Sequence, residues 1–195
     1  MPSYTEDYFS HHIPAWERLF AAGRWSGPRT VVEIGSHEGR SAVWIAQNLL
    51  QNPGSRLYCI DIWDMEGHPN AAERLERFKA NIAELPNADA VTALKARSDA
   101  ALPRLRAEGV RADFVYVDGS HQAPAVLSDL VLSFGLLRQG GMMICDDYLW
   151  TKVDGDPGDL LARPKIAIDA FTTIYARQIN MPGGFPARQT IIQKL

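Results

Sequence analysis

From Thr30 onward, short continuous apolar runs alternate with segments whose apolar residues recur every three or four positions. Runs that stay apolar at consecutive positions suit strands covered on both faces. Their alternation with helical stripes is the pattern of parallel βαβ units, so a doubly wound α/β sheet is expected. The strand runs are 30–34, 56–61, 91–96, 112–118 and 142–146, with a last alternating run at 189–195. Four stripes mark helices: Ala42, Ile45, Ala46 and Leu49; Leu75, Phe78, Ile82 and Leu85; Leu127, Leu130, Val131 and Phe134; and Ala167, Ala170, Phe171 and Ile174. Gly140-Gly141 is expected to stop the third helix and Pro164 to open the fourth. Residues 153–158 (VDGDPG) read as a loop and Pro182-Gly183-Gly184 as a turn. An amphipathic stretch at 13–22, inside an N-terminal cap of residues 1–29, precedes the first strand and is placed over the sheet.

A chain of 195 residues fits one α/β domain, since domains run to roughly 100–200 residues. No repeat, low-complexity stretch or linker divides it. The 23 acids outnumber the 20 bases and no Lys/Arg stripe is present, which argues against a nucleic-acid partner. No apolar run approaches the ~20 residues of a membrane span. Residues 1–10 are too polar and acidic for a secretory leader, so a cytoplasmic protein is expected. Cys59 and Cys145 both lie in apolar strand runs and make no metal-binding spacing, consistent with buried reduced thiols.

The first chemical signal is VEIGSHEG, residues 32–39. A strand ends in Glu33-Ile34, and Gly35 and Gly39 bracket a tight turn into a helix. Glycine there lets the backbone turn sharply and lets a ligand approach without a Cβ in the way, while the helix start presents open N–H groups. Two glycines four apart depart from G-x-G-x-x-G, which weakens a dinucleotide reading. Glu33 and the nearby carbonyls would instead serve a cationic amine. The same text also fits an ordinary strand-to-helix turn.

The second signal is Asp61, at the end of the second strand and about 20 residues past the glycine turn, where an acid can accept the two hydroxyls of a ribose. Ser98 and Asp99 follow the third strand and are candidates for the adenine region or for a helix cap. The third signal is VDGSH, with Asp118 and His121, and the fourth is CDDY, with Asp146 and Asp147. These end two strands that should be neighbours about 4.8 Å apart. Three carboxylates converging there would repel unless they hold a cation or share protons; oxygen ligands suit Mg²⁺ or Mn²⁺. The alternative is that the aspartates cap helices and hold no metal. His121 lies by the same edge and is the residue type matched to proton abstraction near neutral pH. His37 and His68 have weaker cases.

With these residues assembled, the chain resembles the class I S-adenosylmethionine-dependent methyltransferases, in particular the macrocin, caffeoyl-CoA and catechol types of O-methyltransferase. VEIGSHEGRSAVWIA is similar to the family's first motif, YCID to its ribose motif, and FVYVDGSH and GGMMICDDYLW to its two later strand-end motifs. The resemblance implies a seven-stranded, mostly parallel sheet with an antiparallel last strand. It implies S-adenosylmethionine held by Glu33, Gly35, Ser36, Gly39, Ser41, Asp61, Ile62, Ser98, Asp99 and Asp118. It implies a divalent cation at Asp118, Asp146 and Asp147, with Asp118 and His121 as catalytic residues. Catechol-type enzymes carry a lysine where His121 stands here.

The expected activity is methyl transfer to a hydroxyl of a small-molecule acceptor, by a chain that acts without a membrane and could form a homo-oligomer. The acceptor pocket is expected from the N-terminal segment and from loops 63–70 and 149–163, with Trp63, Tyr148 and Trp150 as an aromatic wall or as packing residues. The competing readings are an NAD-dependent oxidoreductase and a non-catalytic S-adenosylmethionine-binding module.

Overall fold

Every apolar run expected to be a strand is one in the computed structural model, which describes residues 1–21, 27–63, 71–151, 158–183 and 188–195. Seven strands and six α-helices lie within these residues, and the chain divides into two compact units, Met1–Arg97 and Ser98–Leu195. The α/β class, the mostly parallel strands and the reversed last strand are as the sequence indicates. No helix among the described residues is long and apolar enough to cross a membrane.

In the first unit, β1 (Thr30–Ile34), β2 (Arg56–Asp61) and β3 (Val91–Lys95) run parallel with β2 in the middle. The register sets Glu33 beside Cys59 and Ile34 beside Ile60. Three helices accompany them: α1 (Ile13–Phe20), α2 (Arg40–Leu49) and α3 (Ala71–Ala83). α1 rests its aromatic face on α2, where Trp16 meets Trp44 edge-on at 5.3 Å and Phe9 at 4.9 Å. Such edge-to-face pairs favour the ring quadrupoles and fix the angle of approach.

The second unit carries α4 (Ser98–Ala107), β4 (Ala112–Val117), α5 (Ala123–Leu136), β5 (Leu137–Cys145), α6 (Pro164–Ile174), β6 (Ile179–Asn180) and β7 (Thr190–Lys194). β4 pairs with β5 in parallel, and β7 lies antiparallel between β5 and β6. All six residues of β4 are buried, which explains the apolar run from Phe114 to Val117, while the buried Asp113 pairs with Arg138 at 2.6 Å.

Two expectations need correction, and one helix shows no stripe in the sequence. Gly140-Gly141 does not stop a helix: α5 ends at Leu136 and β5 already runs through both glycines. The pairing with β4 shifts register between Ala112 and Phe114, Gly140 takes φ +74°, and a Cβ on Gly141 would sit 2.8 Å from the Arg138 carbonyl. The glycines therefore accommodate a bulge and a close backbone approach. Val131 is 40% exposed, and the buried face of α5 runs through Val126, Leu130, Ser133 and Phe134. Finally, α4 shows no clean apolar stripe in the sequence and carries Pro103, yet it buries Ala101, Leu102 and Leu105. Pro103 is the sixth of its ten residues, inside the helix, where the N–H it lacks would have donated to the Asp99 carbonyl. Residues 153–157 of the expected loop, residue 184 of the expected turn, most of loop 63–70 with His68, and residues 22–26 of the N-terminal cap lie outside the described residues.

Phe171 is fully buried in the second unit, stacked on Tyr175 at 4.4 Å and edge-on to Phe134 at 5.6 Å. Phe171→Ala should lower unfolding stability by about 3–5 kcal/mol. Urea titration followed by far-ultraviolet circular dichroism measures this, and a loss below about 1 kcal/mol would contradict the packing described.

Candidate active site

In the first unit the site is a turn between β1 and α2. Gly35 and Gly39 take φ +87° and +88°, a left-handed conformation that side chains with a Cβ adopt at a cost. The Gly35 N–H donates to the Ile60 carbonyl at 2.8 Å, and the Gly39 N–H closes the turn onto the Ser36 carbonyl at 2.7 Å. A Cβ on Gly39 would also approach the Phe78 ring at 3.0 Å. Gly39 is the N-cap of α2 and supplies no capping side chain, so the first turn of that helix suits an anionic ligand group. Ser41 lies in that turn and is buried.

Asp61, at the end of β2, braces this turn. One carboxylate oxygen accepts from the His37 N–H at 2.8 Å and the other from the Trp63 N–H at 2.7 Å. The Trp63 indole N–H donates back to the His37 carbonyl at 2.7 Å, and its ring packs on Phe78 at 4.9 Å. Trp63 is only 3% exposed, so it is a packing residue of the turn and not a wall of an open pocket. Each Asp61 oxygen has a second lone pair beyond the bond described. Ile62, between the two, is 43% exposed.

Glu33 is the unusual residue. It is completely buried, and neither carboxylate oxygen has a hydrogen-bond partner. Burial pushes its pKa up. The Ser36 and Ser41 hydroxyls and the Cys59 thiol stand around it and pull the other way without reaching hydrogen-bonding geometry, while Asp61 adds to the rise. The Ser36 hydroxyl, also buried, has no partner either. Unsatisfied buried polar groups are rare in native proteins and call for an explanation.

The N-terminal segment lies on the far side of the turn. Buried Glu38 accepts from the Thr5 backbone at 2.7 Å and its hydroxyl at 2.6 Å, and pairs with Arg77 at 3.3 Å. Asn81 bonds the Ser3 backbone through both donor and acceptor and the Glu38 carbonyl at 2.8 Å. Tyr8 meets the His37 ring edge-on at 5.7 Å. His37 itself contributes mainly backbone; burial holds its imidazole below the usual pKa, with Arg74 a lesser cause.

In the second unit, β4 and β5 are neighbours, and their ends bring Asp118, Asp146 and Asp147 together with His121. The Tyr116 hydroxyl, which sequence reasoning missed, bonds Asp118 Oδ2 at 3.1 Å and Asp146 Oδ2 at shorter range. Gln189 Nε2 also reaches Asp146 Oδ2, at 2.7 Å, and the Asp147 N–H takes the other oxygen, at 2.7 Å. Asp147 Oδ2 lies 2.7 Å from His121 Nε2, and the His121 ring stacks on Trp150 at 3.9 Å. Tyr148 points elsewhere, its hydroxyl on Asp169 at 2.8 Å beneath Lys165. Ser98 and Asp99 open α4, in the position of helix-start residues, where the Asp99 carboxylate suits the helix dipole.

This arrangement does not fit the expected cation. A hard divalent ion needs several oxygen lone pairs aimed at one point. Here the Asp118 and Asp146 oxygens that come closest are aimed at a tyrosine hydroxyl, and an Asp147 oxygen is aimed at an imidazole. Among the described residues, no three His, Cys, Asp or Glu groups gather as a metal site.

Comparison with known proteins gives a context for these geometries. A family model described as "Methyltransferase domain" matches residues 32–148, more than half of the chain. No curated protein matches significantly. Among solved structures, the O-methyltransferase TomG from Streptomyces achromogenes, in complex with SAM, superposes with a TM-score of 0.70 at 22% identity, covering 93% of this chain and 79% of its own. The O-methyltransferase from Bacillus cereus, in complex with SAH, gives 0.64 at 20% identity, with 93% and 80% covered. MycE of the mycinamycin pathway, in complex with Mg, SAH and mycinamycin VI, gives 0.65 at 18% identity, covering 97% of this chain and 50% of its own. At these identities the likeness shows the Rossmann-like fold.

The orphaned Glu33 generates a prediction. An acid whose pKa is raised on folding ionises more easily in the unfolded chain, so folding stability falls as pH rises above the ordinary carboxyl value of 4.5. Glu33→Gln should therefore stabilise the ligand-free protein at pH 7 by about 1–2 kcal/mol, with the gain shrinking towards pH 4.5. Chemical unfolding at several pH values checks this, and a destabilised variant at pH 7 would refute it.

Proposed function

Because the chain belongs to the methyltransferase-domain family, we propose that it transfers a methyl group from S-adenosylmethionine to a hydroxyl of a small-molecule acceptor. The observation that carries this reading is Glu33, a fully buried carboxylate without a hydrogen-bond partner beside the glycine turn. A cationic amine is the ligand group that would satisfy it, and the cofactor's methionine moiety offers one. The start of α2 suits the carboxylate of the same moiety. The second lone pairs on the Asp61 oxygens suit the ribose hydroxyls.

Gly35, Ser36, Gly39 and Ser41 complete the first-unit side of the proposed cofactor site, with exposed Ile62 flanking the ribose. The cofactor named with TomG and the cofactor product named with the Bacillus cereus enzyme support this assignment.

In the proposed reaction a lone pair of the acceptor oxygen forms the new O–C bond. The S–C bond breaks with its electrons on sulfur, leaving a neutral thioether, and the hydroxyl proton must go to a base. His121 is that base. Asp147 Oδ2 holds its Nε2, so the Nε2–H tautomer is favoured and Nδ1 is left to accept the proton. Stacking on Trp150 fixes the ring plane. No step is routed through a divalent cation. A cytoplasmic setting agrees with Cys59 and Cys145, both buried and free, whose thiols burial pushes upward in pKa.

Asp61→Ala should weaken S-adenosylhomocysteine binding about tenfold to a hundredfold, from the loss of roughly 1.5–3 kcal/mol of charge-assisted hydrogen bonding. Calorimetric titration measures this, with circular dichroism to verify folding; an unchanged Kd in a folded variant would remove Asp61 from the site. NAD, added as a control, should give no thermal shift where S-adenosylhomocysteine does.

His121→Ala should lower kcat by about 10²–10⁴ while leaving S-adenosylhomocysteine affinity unchanged. Methyl transfer to a panel of phenolic and sugar hydroxyls is the assay. Undiminished turnover would exclude His121 as the base.

A further inference from the structure

Tyr116 is completely buried in the middle of β4's end, two residues before Asp118 and therefore on the same face of the strand. Its hydroxyl is shared between Asp118 Oδ2 and Asp146 Oδ2, carboxylates that come from adjacent strands. Gln189 adds a second donor to the same Asp146 oxygen, at 2.7 Å. The antiparallel register explains its presence, since Cys145 pairs with Thr190 and the next positions along are Asp146 and Gln189. The Asp147 N–H donates to the other Asp146 oxygen, and His121 meets Asp147. Two like-charged groups held close need an intervening donor or a cation. Here a phenol hydroxyl and an amide stand in the place between them.

We infer that Tyr116, supported by Gln189, occupies the position between Asp118 and Asp146 that a divalent cation would otherwise take, so that this acceptor-side site is organised by hydrogen bonds and works without a metal. This rests on the methyltransferase reading above. Tyr116 and Gln189 are positioning residues in this account: they set the Asp118 and Asp146 carboxyls, and Asp146 in turn anchors the backbone of Asp147, which orients His121. A hydroxyl bridge also costs no dehydration of a strongly hydrated ion, which Mg²⁺ binding requires.

The test is a Mn²⁺ titration of the full chain, saturated with S-adenosylhomocysteine and followed by electron paramagnetic resonance of free Mn²⁺. Wild-type protein should show no saturable binding tighter than about 1 mM. Tyr116→Phe, which keeps the ring and removes the bridge, should bind Mn²⁺ at least about tenfold more tightly, as two unbridged carboxylates would favour a cation. The double variant Tyr116→Phe with Asp146→Asn should lose that gain. One Mn²⁺ per wild-type chain, bound more tightly than about 1 mM and lost in Asp146→Asn, would overturn the inference; this arm stands even if Tyr116→Phe fails to fold. A folded Tyr116→Phe that binds no better than wild type would overturn it as well. S-adenosylhomocysteine affinity in chelator, read on the same samples, tests the methyltransferase reading separately: its absence would sink that reading and leave the Mn²⁺ result to judge the bridge.

Discussion

In each unit, a strand-end carboxylate that accepts from backbone N–H groups holds the candidate residues in place. Asp61 ties the end of β2 to the turn after β1 by accepting from His37 and Trp63, and Asp146 accepts from Asp147 at the end of β5. A parallel strand terminates in N–H and C=O groups that have lost their ladder partners, and buried ones must find new ones. A carboxylate there satisfies several at once. Because the bonds are charge-assisted, they are stronger than neutral ones and hold the loops closely. Without them the glycine turn and the His121 environment would both lose the contacts that define them.

Those bonds also sustain backbone conformations that would otherwise be unfavourable. Among the described residues, three other than glycine have positive φ: His37 at 47°, Trp63 at 41° and Asp147 at 59°. Each either donates its N–H to one of the two carboxylates or follows it directly in sequence. Left-handed conformations of this kind cost on the order of 1–3 kcal/mol each and persist where the surroundings over-determine them. All three lie at strand ends: His37 and Trp63 follow β1 and β2 in the first unit, and Asp147 follows β5 in the second, where its carboxylate meets His121.

Much of the fold was legible because buried strands and amphipathic helices write their burial into adjacent residues. β1, β4 and the stripe of α2 needed no more than that. α4 was not legible, because charged residues and Pro103 interrupt its short buried face. The glycines of β5 were misread because a Gly pair after a helix has the composition of a helix stop, whereas here it accommodates a register shift that only the partner strand reveals. The site followed the same division. Gly35, Gly39, Asp61, Asp118 and His121 stood out by spacing from a strand end. Trp63 was readable as a pocket wall or as a packing residue, and its indole bond to the His37 carbonyl makes it the latter.

By itself, then, the amino-acid order determined the α/β class and the strand-end positions of the acidic residues, since periodicity and strand-end chemistry are local properties; the reversed last strand came from the family resemblance. Which donors meet Asp118, Asp146 and Asp147 was decided only by tertiary structure. Tyr116 carries a same-face relation to Asp118 that period two makes readable, but Gln189 meets Asp146 across forty-three positions of chain, through a register that no local pattern encodes. Strand pairing, and not any local property of the sequence, places those two donors against the carboxylates.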